Sequence, residues 1–293
     1  MLDSRPPNFF HAAMRPPENL YHQNIADDHS RSSCSLNRCN LSPWIIGSEE
    51  FQANPLPVEI DGARTTDARL FRRLGEIADP EERSRLFHDY VCVKFGLNEK
   101  IERNGKSRPA YSYVNLLRAW GADSNRQAGA VLKAWVESRF GILATYHNGR
   151  LAEDAAARAA FTLDRMCGAA KSIGTLMQLD LLYTFCQDEL RRRWPRARCK
   201  TLYRGTHDPE EYAIRDPGRP GGDPRAMLVQ LNNLSSFTSD VEVAWEFGSS
   251  AWEVEVPLAK IVYFSGLLSK TLLTGESEHL VLGGYYNVRR LLC

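Results

Sequence analysis

The 293-residue chain has almost no net charge: 37 Lys and Arg against 36 Asp and Glu leave +1 at pH 7. A chain without an excess of one sign casts no general field toward nucleic acid or a membrane, so an anionic ligand must be held by local groups. A run of about 20 apolar residues, the length a membrane span requires, is also missing. The opening "MLDSRPPNFFHAAMRPPENLYH" places charges, prolines and histidine where a secretory signal carries an apolar stretch, and the expected location is cytoplasmic. Cysteine is sparse, odd in number and scattered (Cys34, Cys39, Cys92, Cys167, Cys186, Cys199, Cys293), which excludes a secreted disulfide framework and predicts reduced thiols. "CSLNRC" with His22 and His29 upstream follows no standard zinc spacing, and no metal is assigned. Neither G-x-G-x-x-G nor G-x-x-x-x-G-K occurs, so a nucleotide, if bound, is bound without the two commonest phosphate loops. There are no internal repeats.

What is present is an ordinary globular composition, 43% hydrophobic and 25% charged, enough for one sizeable core. Residues 1–60 are rich in Pro, Asn and Ser and read as an extended arm, with "LSPWIIG" apolar enough to dock on the body. From 61 to 195 the periodicity is helical. "ADPEERSRLFHDYVCVKFG" carries Asp79 as N-cap and Pro80 at the first helical position. "SNRQAGAVLKAWVESRFG" offers Ser124 and Gln127 as a capping box and Gly141 as the stop. Further helices are expected over 151–167 and 173–194, with Met166, Met177, Tyr183 and Phe185 in the core. From 196 to 293 the pattern turns to strands: "CKTLYRG", "MLVQLNNLSSFTS", "AWEVEVPLAKIVYFSG" and "SEHLVLGG", with one short helix, "VEVAWEFG", capped by Ser239 or Asp240. Helices first and strands after predict an α+β fold, a largely helical N-terminal half packed on an antiparallel or mixed C-terminal β core, with 61–195 and 196–293 forming one catalytic unit. "HDPEEYAIRDPGRPGGDPRA" reads as a long polar loop of the kind that is often functional.

Three features of the strand half carry chemistry. An arginine ends a strand in "LYRG", hydroxyls end one in "SSFTS", and two glutamates open one in "GESEHLVL". Side chains alternate along a strand, so Glu276 and Glu278 share a face with Leu280 and Leu282, the face that turns inward. Two like charges in a partly dry place raise each other's pKa unless a cation or substrate compensates, which is unfavourable for a scaffold and useful for a site. A solvated strand end is the plainer reading of the pair alone. Glu253 and Glu255 in "AWEVEVP" have the same spacing, but Trp252, Val254 and Val256 take the other face, and that pair is the wet side of an amphipathic strand.

In this order, and with a helix carrying Ala244 and Phe247 after the hydroxyls, the three features resemble the ADP-ribosyltransferases whose site is built from Arg, Ser and Glu. Over nearly its full length, with "CSLNRCNLSPW" and "TLYRGTHDPEEY" contributing, the chain resembles the dinitrogenase reductase ADP-ribosyltransferases. The resemblance implies NAD+ as substrate, cleaved between nicotinamide and ribose, and ADP-ribose moved to an arginine of the nitrogenase iron protein. A PII-type signalling protein is implied as regulatory partner. Glu278 matches the catalytic glutamate that stabilises an oxocarbenium-like ribose. Glu276 matches the glutamate that orients the acceptor guanidinium, which is protonated at any ordinary pH and a poor nucleophile until a carboxylate engages it. Arg204 matches the phosphate-binding arginine, and Gly205 the close backbone approach to nicotinamide. Ser236, Phe237 and Thr238 fall on the hydroxyl motif, with Ser239 a rival for its register and Phe237 or Phe247 a stacking partner. Residues 265–275 correspond to the substrate-recognising loop; their leucines are either buried on the body or used to contact a protein.

Other readings stay open on the residues alone. These are an NAD glycohydrolase, a transferase with another acceptor, a non-catalytic nucleotide-sensing module, and a metal-dependent hydrolase. The last lacks a histidine partner, since His279 points away from the glutamate pair.

Overall fold

The computed structural model describes residues 37–291 except 98–99, 104–105, 110–111, 170–173, 208–211, 217–222, 224, 271 and 274–277. Cys34, His22 and His29 therefore lie outside the described residues, as does most of the proposed arm. The chain divides after Leu36 into two units, the second running Asn37–Cys293.

Two short helices, α1 (Pro43–Ile46) and α2 (Glu49–Ala53), open the second unit. Ile46 is fully buried, and the Gly47 carbonyl accepts from Tyr285 N at 2.7 Å. From α2, the Gln52 amide substitutes for a strand neighbour: its Nε2 donates to the Glu255 and Asn287 carbonyls, both at 3.0 Å, and its Oε1 accepts from Asn287 N at 2.7 Å.

The helical half continues with α3 (Ala63–Thr66), α4 (Ala68–Glu76), α5 (Pro80–Phe95), α6 (Tyr113–Ala122), α7 (Gln127–Phe140), α8 (Ala155–Ala169) and α9 (Thr175–Arg193). Asp79 caps α5 by accepting from Glu81 N and Glu82 N, and Gly96 closes it at φ 62°. Gly141 closes α7 in the same left-handed conformation. The Ser124 capping box does not form: α7 starts at Gln127 with Arg126 as an N-cap whose side chain makes no capping bond and turns instead to Asp123. The reason is a close crossing. A Cβ on Gly129 would stand 1.9 Å from the Ser124 carbonyl oxygen, so the incoming chain lies across the first helical turn. An antiparallel hairpin, β1 (Lys100–Arg103) with β2 (Lys106–Pro109), interrupts the helices where the sequence pattern had suggested none.

Buried ion pairs tie the helices together. Arg83 of α5 grips Glu189 of α9 through Nε at 2.5 Å and Nη2 at 2.9 Å, and Arg139 of α7 grips Asp180 of α9 at 2.8 and 2.9 Å. Removing one partner of such a pair strands a buried charge, at a cost of about 3–5 kcal/mol. Tyr183 and Phe185 are core residues, as expected, with Phe185 stacked on Phe87 at 4.3 Å. Met166 and Met177 are not: they are 64% and 47% exposed, because they fall on the outer faces of α8 and α9.

The C-terminal half is a six-stranded antiparallel sheet, β4 (Ala213–Asp216), β5 (Ala226–Thr238), β3 (Cys199–Thr206), β6 (Ser250–Pro257), β8 (Glu278–Arg290) and β7 (Ile261–Phe264) in spatial order, with a further pairing of β5 to β8. That extra pairing makes β3, β5, β8 and β6 close on themselves. A short 3₁₀ turn, Leu258–Lys260, separates β6 from β7, and α10 (Val241–Glu246) follows β5, capped by Asp240 accepting from Glu242 N. The α+β architecture expected from the sequence is the one observed. Helices and sheet share one apolar core, in which Phe87, Trp135 and Phe185 belong to the same cluster as Val254, Ile261 and Leu282.

Candidate active site

Three strand ends build the site. Tyr203 of β3 faces Thr238 of β5, and Thr238 faces Glu278 of β8, so Arg204, the "SSFT" stretch and the second glutamate arrive at one edge of the closed sheet. A bulge at Asn232 and Asn233 prepares this meeting by bending β5. Gly283 makes the bulge possible, since a Cβ there would stand 1.8 Å from the Asn232 carbonyl.

The cleft at this edge encloses about 640 Å³, within the range of sites for small ligands. Arg204, Gly205, Ser236, Phe237, Thr238, Phe247 and Glu278 all line it. Ser236 is the junction. Its carbonyl accepts from Arg204 Nη1 at 2.5 Å, while its hydroxyl donates to Glu278 Oε1 at 3.0 Å. Ser236 thus meets the glutamate, whereas Ser239 lies exposed beyond the strand end. Burial pushes the Glu278 carboxyl up from its ordinary value, and the Ser236 hydrogen bond pulls it back. The Thr238 hydroxyl accepts from Asp240 N at 3.1 Å, steadying the turn into α10.

Gly205 has a structural demand of its own. A Cβ there would lie 2.0 Å from the Ala244 carbonyl, so any side chain would push α10 off the strand. Phe237 is 3% exposed and packed, whereas Phe247 is 67% exposed at the cleft mouth and is the one free to meet a flat ring.

Glu276 lies outside the described residues. The loop before it is held by the helical half: Arg193 of α9 donates to the Gly266 carbonyl at 2.9 Å, Ser84 Oγ of α5 accepts from Ser269 N at 2.8 Å, and Arg118 of α6 donates to the Leu272 carbonyl at 2.7 Å. Leu267 and Leu268 are 1% and 3% exposed, and Leu272 and Leu273 pack against the core, so the leucines of this loop serve burial.

Several cleft residues carried no signal in the sequence reading. Tyr212 is 5% exposed and accepts from both Arg204 Nη2 (2.6 Å) and Nε (3.2 Å), holding the guanidinium plane; it comes from the stretch read as a polar loop. Trp120, at the end of α6, donates to Ser236 Oγ at 2.8 Å. Asn125 and Tyr146 line the side opposite the strands. Both are anchored by the buried Lys133, whose Nζ donates to Asn125 Oδ1 at 3.0 Å and to the Tyr146 carbonyl at 2.9 Å. The same ammonium stands 3.3 Å from His147 Nδ1, and His147 Nε2 is 3.2 Å from Asp164. A cation beside Nδ1 makes that nitrogen the acceptor, so the ring is neutral with its proton on Nε2, and burial with Lys133 pushes its pKa down.

Arg204, Ser236 and Glu278, the residues by which the sequence resembles the ADP-ribosyltransferases, meet in this cleft. A family model described as dinitrogenase reductase ADP-ribosyltransferase matches residues 36–290, and the chain belongs to that family. A relative from Rhodospirillum rubrum, NAD(+)–dinitrogen-reductase ADP-D-ribosyltransferase, is 36% identical over 275 residues, covering 91% of this chain and 98% of the relative. No solved structure matches. Among the described residues, no helix is long and apolar enough to cross a membrane.

Proposed function

We propose that this chain transfers ADP-ribose from NAD+ to an arginine side chain of the nitrogenase iron protein, reversibly inactivating nitrogen fixation. The observation that carries the reading is the double use of Ser236, whose backbone holds Arg204 and whose hydroxyl holds Glu278 at one cleft edge. The family relationship and the relative's name supply the donor and the acceptor protein.

The reaction breaks the bond between nicotinamide and ribose and leaves an electron-poor, oxocarbenium-like sugar. Glu278 presents a fixed negative charge to that developing cation, an effect of roughly 3–4 kcal/mol for a preorganised group. Arg204, clamped by Tyr212 and the Ser236 carbonyl, offers its remaining donor capacity to phosphate oxygens. Phe247 supplies an exposed ring at the mouth for stacking. Glu276 orients the acceptor guanidinium and takes its proton. By the same family relationship, a PII-type signalling protein in its ADP-bound state is the proposed regulator.

The test is incubation with labelled NAD+ and either purified iron protein or a small guanidino compound. Label on the guanidinium acceptor supports the transferase; NAD+ consumed with neither acceptor labelled supports a glycohydrolase instead.

A further inference from the structure

The geometry points to Trp120, on the helical side of the cleft, as a positioning residue for catalysis: its indole N–H orients the Ser236 hydroxyl so that the hydroxyl donates its hydrogen bond to Glu278. The inference rests on the proposed role of Glu278.

A serine hydroxyl has one proton to donate and two lone pairs to accept with, whereas an indole N–H only donates and an ionised carboxylate only accepts. Trp120 Nε1 lies 2.8 Å from Ser236 Oγ, and Ser236 Oγ lies 3.0 Å from Glu278 Oε1. With the indole occupying a lone pair, the hydroxyl cannot turn its proton toward Trp120, and the Glu278 carboxylate beside it accepts the hydrogen bond. Without the indole, the hydroxyl is free to rotate, and the carboxylate loses a donor that is fixed in direction before substrate arrives. Preorganisation of this kind removes reorientation from the barrier.

Trp120 is itself fixed. It is 4% exposed, and the Lys133 ammonium lies 5.9 Å from its ring centroid, a contact made by a cation already anchored on Asn125, the Tyr146 carbonyl and His147. The adjoining Gly121 runs beside the carboxylate, where a Cβ would make an ordinary 3.7 Å contact with Glu278 Oε2. Among the described residues, Tyr263 of β7 feels the Glu278 charge: burial and that carboxylate push it up to about 12, so it is neutral in the working range. Arg204 reaches Glu278 only through Ser236.

The experiment is a double-mutant cycle on the full-length chain, combining Trp120→Phe and Ser236→Ala, with label transfer from NAD+ to a small guanidino acceptor as readout. Trp120→Phe keeps an aromatic ring in the core but removes both the donor and part of the indole volume, which is why the cycle with Ser236→Ala is needed to isolate the donor. The expected result is a loss of about 10- to 100-fold in kcat with KM for NAD+ within about 3-fold, the scale of a small misplacement at a reacting centre. The acid limb of the pH profile should move upward, because Glu278 has lost part of what keeps it ionised. In the Ser236→Ala background, Trp120→Phe should change the rate by less than about 2-fold. Trp120→His, which restores an N–H in less volume, should recover part of the loss even if the Phe variant folds poorly.

Equal losses from Trp120→Phe in both backgrounds, with an unmoved pH limb, would overturn the positioning role and leave Trp120 as packing. Failure of the underlying reading looks different: Glu278→Gln would retain transfer.

Discussion

The two walls of the cleft are made of different things. The sheet wall presents charge, with Arg204, Glu278 and Ser236 at strand ends whose register is fixed by antiparallel pairing over most of β5 and β8. The helical wall presents mainly directed neutral groups, Trp120, Asn125 and Tyr146, with one carboxylate, Asp123, that is engaged by Asn125 N and Arg126, and keeps the Lys133 ammonium buried behind them. A strand end sets where a side chain starts but leaves a long side chain several rotamers. A group held from a second element removes that freedom. In the proposed reaction the sheet thus supplies the reactive groups and the helices restrict how they point.

The largest expected effect tests the sheet wall. Glu278→Gln should lower transfer by about 10²–10³-fold, the loss seen when one preorganised electrostatic partner is removed, while NAD+ binding by calorimetry stays within a few-fold. Burial raises this carboxyl, so the acid limb of wild-type kcat/KM should sit above the ordinary glutamate value, and the Gln variant should lose that limb. Retention of both rate and limb would move the chemistry away from Glu278.

Arg204→Lys comes next. It preserves the charge but not the planar fork that meets Tyr212 and the Ser236 carbonyl together. KM for NAD+ should rise roughly 10-fold or more, with a fall in kcat as Ser236 loosens. A rise in KM with kcat untouched would mean that Arg204 binds the donor without supporting Ser236.

The sheet wall was legible in the sequence and the helical wall was not, for a physical reason. Period-2 alternation ties side-chain direction to position, so Glu278 could be placed on one face with Leu280 and Leu282; both faces of β8 are buried here, with His279 and Val281 3% and 0% exposed, and it is the Ser236 bond that shows Glu278 turned into the cleft. Glu253 and Glu255 were placed correctly by the same rule: Val254 and Val256 are 1% and 0% exposed, Glu255 faces solvent, and Glu253 pairs with Arg289 at 2.9 Å. Trp120 has no such local signature. Its partner is 116 positions away, and "LLRAWGA" reads as an ordinary helix end. Tyr212 was hidden in a polar stretch because its burial depends on Trp252, which it meets edge-on at 5.0 Å. The capping box at Ser124 failed because Gly129 invites a backbone crossing that no capping rule contains.

Two buried lysines sharpen the contrast. Lys133, behind the helical wall, has polar acceptors around its ammonium, whereas Lys260, under the sheet, donates to the Gly283 carbonyl at 3.1 Å and otherwise meets the faces of Tyr286 (4.3 Å) and Phe51 (5.6 Å). Burial pushes Lys260 down to about 7, against the pull of the aromatic faces. Between that value and the ordinary 10.5 the unfolded chain holds the extra proton, so stability should rise with pH across this window. Lys260→Met should remove the slope and stabilise the protein at pH 7 by about 1 kcal/mol or more, read from denaturant midpoints. A pH-independent midpoint in the wild type would mean that the ammonium stays charged in the fold.

The smallest effect concerns the loop leading to Glu276, where the helical wall reaches around to the acceptor side. Arg118 spends its guanidinium on the Leu272 carbonyl at a solvent-exposed position, and a single exposed hydrogen bond is worth about 0.5–1.5 kcal/mol. Arg193 and Ser84 still hold the loop at Gly266 and Ser269 when Arg118 is gone, so the loop loosens only at its glutamate end. Arg118→Ala should therefore lower transfer to the iron protein by about 2- to 5-fold and leave NAD+ hydrolysis without acceptor nearly unchanged. The ratio of the two activities is the informative quantity, because a general loss of stability moves both together. A proportional fall in transfer and hydrolysis would place this loop in donor binding, and the helices would then be aiming one substrate rather than two.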